Sequence, residues 1–466
     1  MSRSWWLPVT AALLSALTFL VAKDSLTDDA YITLDYARNL AVHGDWALIP
    51  GRPANTATSP LHVALLGFVT LLTRLSGSVH PVLALGIVNV GVSAVFGWAW
   101  SRMRLPAVAQ VLGIALVLLN PLLLSALGME VLLIAAMLTL LVAFVGRPGV
   151  FGPLAGLTLL TRLDLVVFVV LIGAASAAVR RKLPQVVGWC ALVALPWLVF
   201  SWLYFGSAVP DTLVIKQLQR SFGGPGYLHT GLDFMRSSNP VVALSFAPAE
   251  LGVLAVLAVL LLRRRFDPFV ALGLGALAYC LLYALLRVPP YHWYFVPPVT
   301  ALSAAAAGIA GQAAKWPRAG ALTLTALLVA GYAPAFLVPL PWQAPPFFGN
   351  WASARDYARV GHELAARVGD RAVGAPGEIG TLAYFCDCTI VDGFSDPGLL
   401  APQIRQRIDN ASPVVAWLFR LDYTRFQWSK PPIRLDYQLR YAPGPGPWQV
   451  CSAAKGIGHL TLEPSR

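Results

Sequence analysis

Long apolar runs alternate with short polar segments along most of the chain. A helix needs about 20 consecutive apolar residues to cross the hydrocarbon core of a bilayer. This pattern predicts a polytopic α-helical membrane protein with about eleven transmembrane helices. The runs fall at 5–22, 60–75, 81–100, 106–124, 127–145, 150–179, 184–205, 248–263, 268–287, 292–311 and 319–338.

The pattern changes near residue 340. The segment 351–368 has apolar residues at helical spacing, and 397–410 begins with a proline in what would be the first turn of another helix. Short apolar stretches bounded by Gly, Pro or Asp predict strands. These stretches are 371–376 (RAVGAP), 389–394 (TIVDGF) and 414–421 (VVAWLFRL). We therefore predict a transmembrane domain at 1–340, with its first outer loop at 23–59, and a small α/β domain at 341–466.

Basic residues predict the orientation, because cytoplasmic loops of membrane proteins are enriched in Lys and Arg. Arg3 and the clusters at 180–182, 263–265 and 315–318 would lie inside, which makes the N-terminus cytoplasmic. The first outer loop, the segments 206–247 and 288–291, and the C-terminal domain would then be extracytoplasmic. Arg102, Arg104 and Arg147 do not fit this alternation. The topology of residues 100–150 therefore stays open.

Composition supports the membrane assignment. Hydrophobic residues make up 57% of the chain and charged residues 12%, about half the charged fraction of a soluble domain. The net charge of +12 comes with basic clusters at the ends of apolar runs, and no aromatic and basic surface module is evident. We therefore expect no nucleic-acid partner.

Five cysteines divide between the two predicted domains. Cys190 and Cys280 lie in apolar runs, and Cys386, Cys388 and Cys451 lie in the C-terminal domain. An extracytoplasmic domain can carry disulfides, so we expect a bond between Cys451 and either Cys386 or Cys388. The Cys-x-Cys pair lacks the nearby ligands of a zinc site.

Two adjacent aspartates follow the first apolar run, in LTDDAYITLDYARNL at 26–40. If Thr27 or Asp28 caps a helix here, neighbouring side chains diverge by about 100°. One aspartate would then act as a general base while the other positions a substrate or a neighbour. The alternative is that both only stabilise a helix N-terminus. Helical spacing places Asp28, Tyr31, Asp35 and Arg38 on one face, and Asp29, Thr33 and Tyr36 on the other.

Other polar residues recur near the outer ends of the predicted helices. Ionisable groups at membrane depth are functional candidates. Arg162 and Asp164 could also simply pair with each other, and the aromatic residues around His292 could form an interfacial belt. The candidates are Thr58 and Ser59 in NTATSPL, Glu130 in GMEV, Arg162 and Asp164 in TRLD, Asp211, Lys216 and Arg220 after the seventh run, and His292 in PPYHWYFVPP.

Several of these segments resemble known proteins. DDAYITLDYARNL together with HGDWALIPGRPANTATSPL resembles the first outer loop of GT-C glycosyltransferases. With GMEV, TRLD, YFGSAVPDT and GEIGTLAYFCDCTIVDGFSDPGLL, the chain is most similar to the actinobacterial terminal β-(1→2) arabinofuranosyltransferase family. It departs from that pattern in having GMEV for GMET or GLET, and TRLD for TRPD or TRPE.

The resemblance implies a GT-C fold and an inverting transferase of the bacterial plasma membrane that acts in cell-wall arabinan biogenesis. The donor would be a polyprenyl-phosphate sugar, decaprenyl-phosphate arabinose by the nearest resemblance. The acceptor would be a hydroxyl of a cell-envelope polysaccharide or glycolipid on the outer face. Mannose is the alternative sugar. A flippase or transporter of lipid-linked sugars is the alternative class, although the chain shows no repeated halves.

The resemblance also implies roles for the candidate residues. Asp28 would be the general base, with Asp29 the second choice. Thr58, Ser59 and Asp211 would position the acceptor or the loops. We expect no required cofactor, and a divalent metal held by the two aspartates remains the less favoured alternative. The donor phosphate or sugar would be bound by Tyr31, Arg38, Glu130, Arg162, Lys216, Arg220 and His292.

Overall fold

The computed structural model describes residues 5–264, 266–313 and 315–465. Arg3 and Arg265, on which the predicted orientation partly depends, lie outside the described residues. The chain forms two compact units, each assembled from separate stretches of sequence. The first unit contains the chain up to Lys23, Gly86–Leu195 and Ser221–Phe347, and the second contains Asp24–Leu85, Pro196–Arg220 and Phe348–Arg466.

The first unit is helical. Short 3₁₀ segments at Leu163–Leu165, His292–Phe295 and Ala333–Phe336 and a π segment at Val259–Arg263 connect or extend its helices. The helices Pro81–Ser101 and Leu183–Tyr204 pass from one unit to the other along the chain. The remaining helices of the first unit are Trp6–Ala22, Ala107–Leu118, Pro121–Ser125, Val131–Phe144, Pro148–Thr161, Val166–Ala174, Ala177–Arg181, Tyr227–Met235, Pro240–Ala258, Pro268–Leu286, Val296–Gln312 and Lys315–Ala330.

Among the described residues, seven helices are long and apolar enough to cross a membrane, and five shorter apolar helices accompany them. Each of the eleven predicted runs contains a helix, which confirms a polytopic helical membrane protein. Several boundaries differ from the prediction. The run 150–179 is interrupted at Arg162, which is extended, and the run predicted at 248–263 begins at Pro240 because the helix continues through Pro248.

The helix Val296–Gln312 is the centre of the first unit. It is almost wholly buried and packs against Ala107–Leu118, Pro240–Ala258 and Pro268–Leu286. Its sequence SAAAAGIAG explains this position, because small residues let neighbouring helices approach closely. At Gly308 an added Cβ would lie 2.2 Å from the Phe269 ring.

The second unit combines helices with a five-stranded mixed sheet of order β2-β1-β3-β5-β4. The strands are β1 (Val373–Gly374), β2 (Ile390–Val391), β3 (Tyr437–Pro443), β4 (Trp448–Ser452) and β5 (Gly456–Pro464). β1 pairs in parallel with β2 and β3, and the pairs β3–β5 and β4–β5 are antiparallel. The helices are Asp28–His43, Pro60–Thr73, Thr212–Gln219, Ala354–Val368, Gly380–Cys386, Pro397–Asp409 and Pro413–Asp422.

One hydrophobic core joins distant parts of the sequence in the second unit. Tyr36, Trp46 and Val63 from the segment 28–73 pack in the same cluster as Val360 and Leu382 from the C-terminal segment. The boundary predicted near residue 340 separates these segments, whereas the compact unit includes both of them. Apolar periodicity marks elements along the chain and carries no information about which distant elements share a core.

The C-terminal segment confirms some predicted elements and corrects others. The helices at 354–368 and 397–409 and the strands at 373–374 and 390–391 are present. The strand predicted at 414–421 is wrong, because those residues form the helix Pro413–Asp422, which begins with Pro413 after Ser412. β3, β4 and β5 were missed, since their half-exposed sequences lack a strong apolar run.

The disulfide prediction is also wrong. Cys386 is bonded to Cys388, and Cys451 is an exposed free cysteine. The helix Gly380–Cys386 ends at Cys386, and Asp387 takes the left-handed conformation with φ of 50°. The chain therefore turns back within two residues, which places the two Cα atoms 5.1 Å apart.

We expect unreduced, denatured protein to be alkylated at Cys190, Cys280 and Cys451 and not at the Cys386–Cys388 pair. Reduction before alkylation should add modification at both remaining positions. Peptide mass spectrometry under the two conditions checks this. Protection of Cys451 without reductant would contradict the pairing.

Candidate active site

The carboxylate of Asp28 caps a helix other than its own. Asp28 begins the helix Asp28–His43 and is 4% exposed. Three backbone N–H groups at the start of Gly380–Cys386 donate to it, and charge-assisted bonds of this kind are among the stronger ones in proteins. The donors are Ile379 and Gly380, to Oδ2 at 3.0 and 2.9 Å, and Thr381, to Oδ1 at 2.8 Å.

Close contact between these helices requires a glycine at position 380. A Cβ added to Gly380 would lie 2.0 Å from the backbone oxygen of Asp28 and 2.9 Å from Ile32. The first of these contacts is with backbone, which cannot move aside as a flexible side chain can. The sequence GEIG therefore serves helix packing here.

The half-buried carboxylate of Glu378 supports the start of the helix Asp28–His43 through Asn350. The side-chain oxygen of Asn350 accepts from the Thr27 hydroxyl at 2.9 Å and from the Asp28 backbone N–H at 3.3 Å. The amide nitrogen of Asn350 donates to Glu378 at 3.0 Å, and the Tyr357 hydroxyl donates to Glu378 at 2.6 Å. Burial raises the pKa of Glu378 to about 8, and the nearby Asp28 adds to the rise.

Asp29 lies in a different environment from Asp28. Its side chain is 30% exposed, and its Oδ1 lies 3.9 Å from the ammonium nitrogen of Lys216. Lys216 belongs to the helix Thr212–Gln219, which is held by Val214 and Ile215 in a hydrophobic cluster with Pro397–Asp409. The adjacent aspartates thus have different surroundings: the Asp28 carboxylate binds backbone N–H groups, and the Asp29 carboxylate faces an ammonium group.

The predicted face of Asp28, Tyr31 and Arg38 contacts the segment 379–387. Tyr31 is buried against the rings of Tyr384 and Phe385. The Arg38 guanidinium donates to Asp35 at 2.5 Å and to the Tyr384 carbonyl at 2.9 Å, and it pairs with Asp387 at 3.1 Å. These contacts occupy Arg38 within the helix pair. Arg220 is exposed and follows the helix of Lys216.

Of the residues predicted to position the acceptor or the loops, Asp211 is hydrogen-bonded with Ser207 and Asn55. The Asn55 side chain donates to the Ser207 carbonyl at 3.0 Å, and the Ser207 hydroxyl donates to Asp211 at 2.9 Å. The Asp211 backbone N–H donates to the Asn55 carbonyl at 2.7 Å. Burial raises the pKa of Asp211 to about 7. Thr58 is half-buried, and the Ser59 hydroxyl is buried without a hydrogen-bond partner among the described residues.

The other predicted residues form a cluster within the first unit. The Arg162 guanidinium donates to Glu130 at 2.6 Å, to Asp164 at 2.6 Å and to the Tyr283 hydroxyl at 2.6 Å. The Tyr283 hydroxyl also bonds Asp164 at 2.5 Å. With two carboxylates around one guanidinium, the ionised cluster has a net charge of −1. A guanidinium bound in this way is poorly placed to hold a phosphate dianion.

His292 contacts a backbone carbonyl and an aromatic ring. Its Nε2 is 3.4 Å from the Ser125 carbonyl, and its ring stacks against Phe347 at a centroid distance of 6.3 Å. It begins the 3₁₀ turn His292–Phe295 that leads into the central helix. Within the described part of the chain, no group of three or more His, Cys, Asp or Glu side chains is arranged to hold a metal ion.

The contacts of Asn350, Glu378 and Tyr357 were missed by sequence reasoning. Glu378 lies in GEIG, a segment in which the dinucleotide-binding pattern is incomplete. A glutamate between two glycines with an apolar run behind it was the available signal for a helix start. Nothing in the sequence indicated that the start of this helix would contact Asp28.

Comparison with known proteins supports the fold. No protein-family model matches the chain, and no curated protein matches its sequence. Among solved structures, the chain is similar to the apo crystal structure of ArnT from Cupriavidus metallidurans, at 14% identity and a TM-score of 0.57, covering 97% of both chains. The chain therefore shares its overall fold with ArnT, and it is a polytopic helical membrane protein with a small C-terminal sheet.

Replacing Gly380 with alanine tests the packing at the Asp28 cap. We expect Gly380→Ala to lower the free energy of unfolding by about 1–3 kcal/mol, the usual cost of overpacking a tight contact. Thermal unfolding in detergent measures the change. Gly349→Ala is the matched control, because an added Cβ there meets nothing within 4 Å. Equal stability of the two variants would contradict the close contact.

Glu378 should make folding stability depend on pH. Its folded pKa of about 8 lies above its ordinary value of 4.5, so the folded state binds the proton more tightly. This contribution is fully present below pH 4.5 and is lost as pH rises through 8. Asp35 and Asp211, whose pKa values burial raises to about 7, act in the same direction.

We therefore expect the unfolding midpoint to fall between about pH 5 and pH 8, and Glu378→Gln to reduce this fall without abolishing it. Thermal unfolding at a series of pH values checks the slope. An unchanged slope in Glu378→Gln would show that Glu378 does not contribute.

Proposed function

We propose that the protein is an inverting, polyprenyl-phosphate-dependent glycosyltransferase. The observation that carries the proposal is the unequal environment of its adjacent aspartates: Asp28 binds three backbone amides, and Asp29 is partly exposed 3.9 Å from Lys216. A base and a cation side by side suit a reaction in which a proton leaves one oxygen while negative charge forms on another. The GT-C fold supports this class of reaction.

Asp29 is the proposed general base, in place of Asp28. A base needs an oxygen that an acceptor hydroxyl can reach, and the lone pairs of Asp28 are committed to backbone N–H groups. In the proposed step, Asp29 takes the hydroxyl proton as the acceptor oxygen bonds to the anomeric carbon of the donor. The bond from that carbon to the phosphate oxygen breaks, and its electron pair stays on the phosphate. One such displacement inverts the anomeric centre.

Lys216 and Arg220 are the proposed partners of the departing lipid phosphate. A phosphate monoester is a stable anion, so it needs a nearby cation more than a proton donor. Arg38 and Arg162 are less suited, because each is paired with two carboxylates at 3.1 Å or less. We propose that Asp28 acts as a positioning residue that fixes the start of the helix on which Asp29 is carried.

Arabinofuranose is the proposed donor sugar. The first-loop resemblance favours it. The proposed acceptor is a hydroxyl of a cell-envelope glycan or glycolipid. We place the reaction on the extracytoplasmic side, which the Cys386–Cys388 disulfide supports, since disulfides persist in oxidising compartments. The mechanism assigns no step to a metal, so EDTA should leave the rate unchanged.

Transfer by purified protein tests the proposal. Polyprenyl-phosphate arabinose and polyprenyl-phosphate mannose are offered separately, each with a short arabinan and a mannoside acceptor, with and without EDTA. We expect a new linkage from the arabinose donor. Asp29→Asn should lower kcat about 10²–10⁴-fold, because it removes a general base. Lys216→Met should lower kcat about 10²–10³-fold, because it removes charge stabilisation.

The variants separate catalysis from folding. Asp28→Asn should lower both the unfolding midpoint and the rate, whereas Asp29→Asn should keep the wild-type midpoint. Asp45→Asn is the matched control, because Asp45 lies in the same loop and its carboxylate bonds the Gly51 backbone N–H. Full transfer by Asp29→Asn would refute the assigned base. Lipid translocation without sugar transfer would instead favour a flippase.

A further inference from the structure

A short helix of the second unit presents an apolar stripe to its surroundings. In Pro413–Asp422, four apolar side chains at positions i, i+3, i+4 and i+7 fall within about 100° of the helix circumference. The opposite side is anchored in the unit, where Ala416 and Phe419 pack in a cluster with Ile404. The exposed side chains are Val414 (68%), Trp417 (61%), Leu418 (50%) and Leu421 (54%).

The C-terminal end of this helix is bonded to the end of a membrane span. The carboxylate Oδ1 of Asp422 accepts the backbone N–H groups of Ala208 at 2.9 Å and Val209 at 3.3 Å. These residues come four and five positions after the span Leu183–Tyr204. The helix is therefore held beside the end of a helix that is long and apolar enough to cross a membrane.

Two further contacts fix the same junction. The Arg425 guanidinium lies 5.4 Å from the centre of the Trp202 ring, in the last turn of the span. Gly206 has φ of +90°, and a Cβ added there would lie 2.5 Å from the Cα of Phe426. The turn after the amphipathic helix thus packs directly on the end of the span, where Leu203 and Tyr204 are themselves exposed.

We propose that Pro413–Asp422 is an interfacial helix that lies in the plane of the membrane surface, with its four-residue stripe in the lipid. Such helices combine an apolar face containing Trp, Phe or Leu with basic residues beside it. Arg420 and Arg425 are exposed next to the stripe, at a position suited to lipid phosphates. Bilayer lipid is the occupant that the junction with the span favours, because the side chains of Leu203 and Tyr204 at the end of this span are themselves exposed.

Lipid-depth quenching on full-length protein tests this inference. Cys190, Cys280 and Cys451 are replaced by serine, and the Cys386–Cys388 disulfide is kept by labelling without reductant. Single cysteines at Val414→Cys, Leu418→Cys and Leu421→Cys carry an environment-sensitive fluorophore. The protein is reconstituted alone in phosphatidylglycerol and phosphatidylethanolamine vesicles that contain lipids brominated near the top of the acyl chain. Ile457→Cys is the control, a single exposed apolar position on β5.

We expect brominated lipid to quench the three helix labels at least about threefold more than the label at position 457, since interfacial helices bury their apolar face about 5–10 Å below the headgroup boundary. Aqueous iodide should show the reverse order. Helix labels quenched by iodide as strongly as the control, and not by brominated lipid, would overturn the proposal and point to a protein partner. Matching size-exclusion profiles establish that each variant is folded, and each of the four labelled positions carries a side chain that is at least half exposed.

Discussion

The carboxylate of Asp28 is the group on which the second unit depends. It receives the backbone N–H groups that begin a helix 351 residues further along the chain. Those amides have no partner within their own helix, and a charged oxygen satisfies them where water is excluded. The same contact brings the two helices so close that only glycine fits at position 380. Tyr31, Arg38 and the Asn350–Glu378 pair then pack around a junction that is already fixed.

This constraint explains why the adjacent residues Asp28 and Asp29 have different surroundings. A helix turns by about 100° per residue, so a carboxylate committed to the junction leaves the next one directed elsewhere. Asp28 supplies rigidity, and the proposed reaction uses Asp29. In the first unit the polar residues follow a different rule: Arg162, Glu130 and Asp164 satisfy one another at the point where a helix is interrupted. Burying a guanidinium among apolar helices requires such partners.

Apolar runs predicted the membrane helices well, because a bilayer imposes length and composition directly on sequence. Local signals also located the helices at 354–368 and 397–409. They failed where long-range contacts decide. The spacing of the Cys-x-Cys pair did not indicate that the two cysteines bond each other, because the disulfide depends on the left-handed conformation of Asp387 between them. The partners of Asp28 lie in GEIGT, and spacing within either segment cannot identify the other. The apolar stretch 414–421 suited a strand or a helix, and its packing on Ile404 selected the helix.

The distance in sequence between the two halves of the Asp28 junction has a consequence for biosynthesis. Chains are made at about 5–20 residues per second, so the segment 379–381 emerges roughly 20–70 s after residue 28. During that interval the Asp28 carboxylate and the apolar face of the helix Asp28–His43 lack the partners that bury them in the folded protein. The second unit can be completed only after nearly the whole chain has been inserted. A ribosome that stops early would therefore leave a protein with its membrane helices in place and the Asp28 junction unformed.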